Sequence, residues 1–221
     1  MSKQEKATKI RTNRGVIMAD KKINDLVYIM LLINSNFNKS EKHRYIYKKN
    51  IKATKWGREL GITRQTVNNA IKYMVDSEFI KETEEAYLLP IADKHYSDID
   101  IDLLKFLVDV AHKDTIRVYL MLIGYYHNFK SKGLVYNFSP TSIAEELGFG
   151  ATNQEVRDKI RNILASLETW GLIKVSQEPI KVKTKEGNMT EKFELLEATD
   201  KLPQEIAKNR NKYNRQPKAK K

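Results

Sequence analysis

The stretch Ala53 to Ile80 reads ATKWGRELGITRQTVNNAIKYMVDSEFI, and its apolar spacing sets the fold of the chain around it. Ala53, Trp56 and Leu60 mark a short amphipathic helix, Gly61 supplies the φ > 0 position that turns it, and Thr63 suits the N-cap of a helix starting at Arg64. In that second helix Val67, Ala70, Ile71 and Met74 fall at i, i+3, i+4 and i+7, so one stripe is buried against the first helix. Arg64, Gln65, Thr66, Asn68, Asn69 and Lys72 are left outside. Length, turn glycine, cap and stripe agree on a helix-turn-helix. The outer residues are types that reach base edges and phosphates in a major groove: arginine pairs bidentately with guanine, and Gln or Asn with adenine. The competing reading is an ordinary helical hairpin whose outer face is merely hydrophilic.

Downstream, Phe79-Ile80-Lys81 and Ala86-Tyr87-Leu88-Leu89 flank the polar turn KETEE as two short β runs, the hairpin called a wing. With it the segment resembles a winged-helix domain. Upstream, Leu26, Ile29, Met30 and Ile33 form a helical stripe, and the apolar Val27, Tyr28, Leu31 and Leu32 imply a helix covered on more than one side. Tyr45-Ile46-Tyr47 suits a short strand.

From about Thr115 the order of elements repeats. VYLML at Val118 to Leu122 matches VYIML at Val27 to Leu31, and FSPTSIAEELG, Phe138 to Gly148, sits at a constant offset from IKATKWGRELG, Ile51 to Gly61. Ser139 is an N-cap with Pro140 at the first helical position. A second outward helix follows a turn two residues longer, with Thr152 as its cap and Val156, Ile160, Ile163, Leu164 and Leu167 as its buried stripe. Asn153, Gln154, Arg157 and Arg161 lie on its free side, where Glu155 and Asp158 dilute the positive charge. Leu172 to Val175 and Lys192 to Leu196 are read as a second hairpin with its tip at Lys181 to Gly187. That tip is basic where the first wing is acidic. The second unit therefore reads either as a further DNA contact or as a duplicated scaffold used for dimerisation.

The net charge of +12 is carried by the two ends of the chain. Met1 to Lys22 holds seven basic and two acidic residues, and Lys201 to Lys221 holds eight basic and one acidic, so the span between is net neutral. Such ends read as flexible arms that follow phosphates and give salt-dependent affinity, or simply as solvated tails. Within the middle, Tyr45 to Lys72 has seven basic residues against Glu59 alone, whereas Tyr73 to Val110 has three basic and ten acidic residues. The acidic run Asp93 to Asp102 is read as a solvated connector, with a linking helix at Leu103 to Ala111.

Several chemistries lack their residues. There is no cysteine, which excludes disulfides and thiolate metal sites and makes a reducing cytoplasm the natural compartment. The N-terminus has no apolar leader core, and apolar runs such as Leu26 to Ile33 are too short to cross a bilayer, so no membrane role is expected. The four histidines, His43, His95, His112 and His127, show no metal-ligand spacing, and no Walker phosphate loop is present. No catalytic residue, metal ligand or cofactor site is expected, and a rolling-circle mechanism lacks its paired histidines. Tyr28, Tyr73 and Tyr119 read as helix aromatics, and Asp98, Asp100 and Asp102 lack the glycine of an EF-hand.

The expected fold class is mainly α with small β-hairpins (α+β), built as two tandem winged helix-turn-helix domains. The expected order is a basic arm (1–22), a first domain (23–92), a connector and linking helix (93–113), a second domain (114–200) and a basic tail (201–221). Over Ile23 to Ala198 this architecture resembles the theta-type plasmid replication initiators that bind iterons, and the first unit resembles helix-turn-helix domains of phage and plasmid replication proteins of low-GC bacteria. The resemblance implies a non-enzymatic, sequence-specific binder of double-stranded DNA from a mobile element, acting in replication initiation or its control. It also implies a bacterial, nucleoid- or plasmid-associated location, replication proteins as partners, and helices entering grooves about 10 base pairs apart. Arg64, Gln65, Thr66, Asn68 and Asn69 would read bases, as would Asn153, Gln154, Arg157 and Arg161 in the second unit. Lys48, Lys49, Lys52, Lys55, Thr63, Lys72, Lys181, Lys183 and Lys185 would hold phosphates. A winged-helix transcriptional regulator would use the same chemistry, and a protein-interaction module would use the same scaffold. The repeat suits a homodimer and a pseudo-symmetric monomer equally.

Overall fold

The computed structural model describes residues 9–13, 23–38, 40–41, 43–90, 96–150, 153–183, 189–209 and 213. It is a mixed α+β chain of helices and small antiparallel sheets, divided into one unit of residues 1–113 with 209–221 and another of residues 114–208.

In the first unit, α1 (Asp25–Ile33) starts where the Asn24 side chain accepts a hydrogen bond from Val27 N at 3.2 Å. Every residue from Leu26 to Leu32 is buried, as the run of apolar residues on all its sides requires. Two short strands, β2 (Asn36–Asn38) and β3 (His43–Tyr47), lead through a 3-10 turn at Lys48–Asn50 into α2 (Ala53–Leu60) and α3 (Arg64–Asp76). After α3 come β4 (Lys81–Glu82) and β5 (Ala86–Leu89), completing an antiparallel sheet of order β2-β3-β5-β4. The core between helices and sheet holds Ile46, Trp56, Leu60, Val67, Met74, Ile80 and Leu89. Tyr28 is buried with its ring edge-on to Phe79 at 5.0 Å.

Two of the expected boundaries move. The basic N-terminal arm contains a strand, β1 (Lys9–Asn13), which pairs antiparallel with β6 (Tyr96–Asp100). The segment read as a connector is likewise part of the first unit, because α4 (Ile101–Val110) follows β6 directly and packs on α1 and α2. Asp100 is an N-cap, its Oδ1 accepting from Asp102 N at 2.8 Å. Leu103, Leu104, Phe106 and Leu107 are fully buried, and burial of such side chains stabilises by about 1.5 to 3 kcal/mol each. Acidic composition described the solvent side of this segment, while its apolar stripe decided where it lies.

The second unit opens with α5 (Lys113–Lys130), buried from Asp114 to Gly124. Its Tyr119 is wholly buried and donates its hydroxyl to Thr199 O at 2.8 Å. Then follow β7 (Tyr136–Phe138), α6 (Pro140–Leu147) and α7 (Gln154–Thr169). β8 (Ile173–Val175), β9 (Ile180–Lys183) and β10 (Met189–Ala198) complete the unit's sheet, in which β10 lies between β7 and β8 and also pairs with β9. Ser139 and Ser142 form a reciprocal capping box at the start of α6. The basic tail is not uniform either: Gln204–Lys208 form a short helix, α8, that belongs to this unit and buries Ile206, while residues 209–221 belong to the first.

Candidate nucleic-acid interface

The geometry at α3 follows from its caps. Gly61 ends α2 in the left-handed region at φ 67°, a conformation glycine adopts without strain. Thr63 is the N-cap of α3, with Oγ1 accepting from Thr66 N at 3.0 Å. The turn is so tight that a Cβ added at Gly57 would lie 2.8 Å from Ile62 O. Gly57 thus lets the turn pass over α2, a requirement that no local pattern announced.

Val67, Ala70, Ile71 and Met74 are buried, and Arg64, Gln65, Thr66, Asn68, Asn69 and Lys72 are all exposed. Gln65 Nε2 donates to Asn69 Oδ1 at 2.7 Å, holding the two amides side by side on the outer face. Arg64 and Asn68 line an open groove of about 1190 Å³ that runs from α3 to the N-terminal part of α2, the 3-10 turn and the β4-β5 hairpin. Lys48, Lys52, Lys55, Arg58 and Lys72 line it too, against the carboxylates of Asp76 and Glu82. Lys72 pairs with Asp76 at 2.7 Å, Lys48 with Glu82 at 2.7 Å, and Lys55 with Glu59 at 3.6 Å. Among the described residues, Lys52, Arg58 and Arg64 have no carboxylate partner. With six Lys and Arg against two carboxylates the groove is net positive, which favours a polyanion, and Arg64 is placed there with its donors unpaired by any carboxylate among the described residues.

Thr63 acts here through its cap, and Lys49 lies 5.4 Å from the Tyr47 ring centroid. Arg58 and Tyr87 were missed in the sequence, yet both line the groove. The spacing of Lys52, Lys55 and Arg58 at three-residue intervals was a legible signal for Arg58, since such residues share a helix face. Burial and the neighbouring Glu82 raise the Tyr87 hydroxyl above its usual range, against the opposing charge of Lys48, whose Nζ lies 5.5 Å from the Tyr87 ring centroid.

The second outward helix differs. Its N-cap is Asn153, whose Oδ1 accepts from Glu155 N at 2.8 Å, in place of the expected Thr152, which lies outside the described residues. Helix α7 therefore starts one residue later than expected, and the turn before it is three residues longer than that before α3. Gln154 Nε2 donates to Asp158 Oδ1 at 2.9 Å, Arg161 Nη1 to the same oxygen at 2.5 Å, and Arg157 Nη2 to Gln154 Oε1 at 2.6 Å. Hydrogen bonds from Gln154 and Arg161 hold the Asp158 carboxyl below the usual carboxylate range. All four expected readers are engaged locally, one as a cap and three in this network. Lys181 and Lys183 are exposed on β9, while Lys185 lies outside the described residues.

Among the described residues no group of three or more His, Asp or Glu side chains is placed to hold a metal ion, and no helix is long and apolar enough to cross a membrane. The chain matches no known protein-family model, no curated protein and no solved structure.

Proposed function

We propose that the protein is a tandem winged-helix, sequence-specific binder of double-stranded DNA in which α3 reads the major groove. The observation that carries this is the exposed face of α3, where Arg64 and Asn68 border a groove whose Lys and Arg side chains outnumber its carboxylates, Asp76 and Glu82. The order of elements supports the winged-helix reading. In each unit a helix is followed by a short strand, a helix pair and further strands, and the strand just before the helix pair, β3 or β7, pairs with β5 or β10 from beyond it. A helix-turn-helix set on such a sheet projects its second helix outward, with the following hairpin beside it.

Action in replication initiation or its control on a plasmid or phage rests on the resemblance of the tandem arrangement to theta-type initiators. Purified full-length protein incubated with fragments of its native replicon, at salt high enough to suppress backbone-only binding, tests both parts. Enrichment of tandem direct repeats near an origin is the expected result. Enrichment of one inverted repeat over a promoter would replace initiation with transcriptional control. An absence of enrichment would sink sequence-specific binding and leave the winged helices as protein-interaction scaffolds.

A further inference from the structure

We propose that the outward face of β3 is a stacking platform for unpaired nucleotides, a second DNA-binding site distinct from the groove beside α3. His43, Tyr45 and Tyr47 alternate along β3 with the buried Arg44 and Ile46, so the three rings share the partly exposed face. Successive ring centroids lie 6.2 and 5.3 Å apart and successive rings are turned edge-to-face by 69° and 78°, so the row along the strand offers separate ring faces to separate bases. Cross-strand partners share a sheet face, which sets Asn38 beside His43, Asn36 and Leu88 beside Tyr45, and Lys81 beside Leu88. Lys49 stands over the Tyr47 ring at the end of the row.

The surroundings select the ligand. Beside the buried Arg44, residues 39–49 carry four Lys against Glu41 alone, whose carboxylate lies 3.4 Å from His43 Nδ1, a balance that favours a polyanion over an apolar peptide. Rings stack on any base whose flat face is accessible, and in a duplex those faces are already stacked on one another. A row of rings bordered by cations and amides thus suits a single strand, with backbone attraction from Lys49 and Lys81 and a donor from Asn36, while Asn38 bonds to Ser40 and Glu41. His43, Tyr45, Lys81 and Leu88 do not line the groove beside α3, so this site does not depend on the duplex reading.

The test uses the full chain, a fluorescein-labelled oligothymidylate and a labelled duplex, read by anisotropy. Tyr45→Ala with Tyr47→Ala is expected to weaken oligothymidylate binding by about tenfold or more while duplex affinity stays within about twofold. Tyr45→Phe with Tyr47→Phe keeps the rings and is expected to bind like the wild type. Tyr45→Leu with Tyr47→Leu preserves apolar bulk if the alanine pair fails to fold, and is expected to lose the oligothymidylate selectively. Arg64→Ala separates the two sites: it is expected to leave oligothymidylate binding unchanged, whatever it does to the duplex. Failure of the wild type to bind oligothymidylate, full binding by the leucine pair, or equal losses for both DNA forms would overturn the platform.

Discussion

Helices α3 and α7 each follow a shorter helix that ends at a glycine with positive φ, yet they present different surfaces. On α3 the buried stripe is backed by an outer face in which Arg64 has no carboxylate partner among the described residues, and Gln65 and Asn69 bond to each other. On α7 the corresponding donors bond to Gln154 and Asp158 within their own helix. The scaffold fixes where an outward helix stands, and a few charges decide whether its donors remain available. On α7 the Asp158 carboxylate accepts from both Gln154 and Arg161, whereas on α3 the Asp76 carboxylate accepts from Lys72.

The largest expected effect sets the two faces against each other. Arg64→Ala with Asn68→Ala should cost about 1 to 3 kcal/mol of site affinity for each base that the wild-type side chain reads, while Arg157→Ala with Arg161→Ala should cost much less. Titrations of one labelled duplex with both variants measure this, and equal effects would break the comparison.

The tight turn provides the next test. Position 144 in α6 corresponds to position 57 in α2, and there a longer turn accommodates the fully buried Ala144. Gly57→Ala should destabilise the first unit by about 1 to 3 kcal/mol, because the neighbour at 2.8 Å is backbone. Ala144→Gly should cost only about 1 kcal/mol, through chain entropy and looser packing. Urea melts of both variants give the two values, and a neutral Gly57→Ala would mean that the turn has room to move.

Asp158→Asn should then raise duplex affinity a few-fold, since it removes the charge that engages Arg161 and opposes phosphate. No gain in affinity would place α7 away from the DNA. The pH dependence has a definite sign. The folded carboxyl titrates below its unfolded value near 3.8, so its small, solvent-screened contribution is present above that pH and is lost on acidification through the depressed value. Between pH 5 and 8 thermal melts of wild type and Asp158→Asn should therefore run parallel.

The smallest effect concerns the C-terminal end. Removing residues 214–221 deletes Arg215, Lys218, Lys220 and Lys221 but leaves α8 and its buried Ile206 in place. The salt dependence of duplex binding should flatten by up to about one unit for each deleted cation that meets a phosphate, equally for all sequences. An unchanged slope would show that these cations do not meet DNA.

How much of this was legible in the sequence depended on the range of the forces involved. The stripe, turn glycine and cap of α2 and α3 are local, so Trp56, Gly61, Thr63 and Val67 take the expected places. The pairing of β1 with β6 joins segments far apart along the chain, and neither KIRTN nor YSDID carries a continuous apolar run to announce a strand. Thr152 and Asn153 are both good caps, and spacing alone did not choose between them. Exposure of α3's polar residues was legible, but the groove was not, because Arg58 and Tyr87 reach it from different elements.

The most direct test of α3 as the reading helix is the base preference of the wild type and of Arg64→Lys, measured by selection from a randomised duplex library. Lysine keeps the positive charge but loses the planar fork that pairs with guanine. An unchanged salt slope with preference relaxed at one guanine position is the outcome expected of a base-reading Arg64. An identical selected sequence at wild-type affinity would contradict that role.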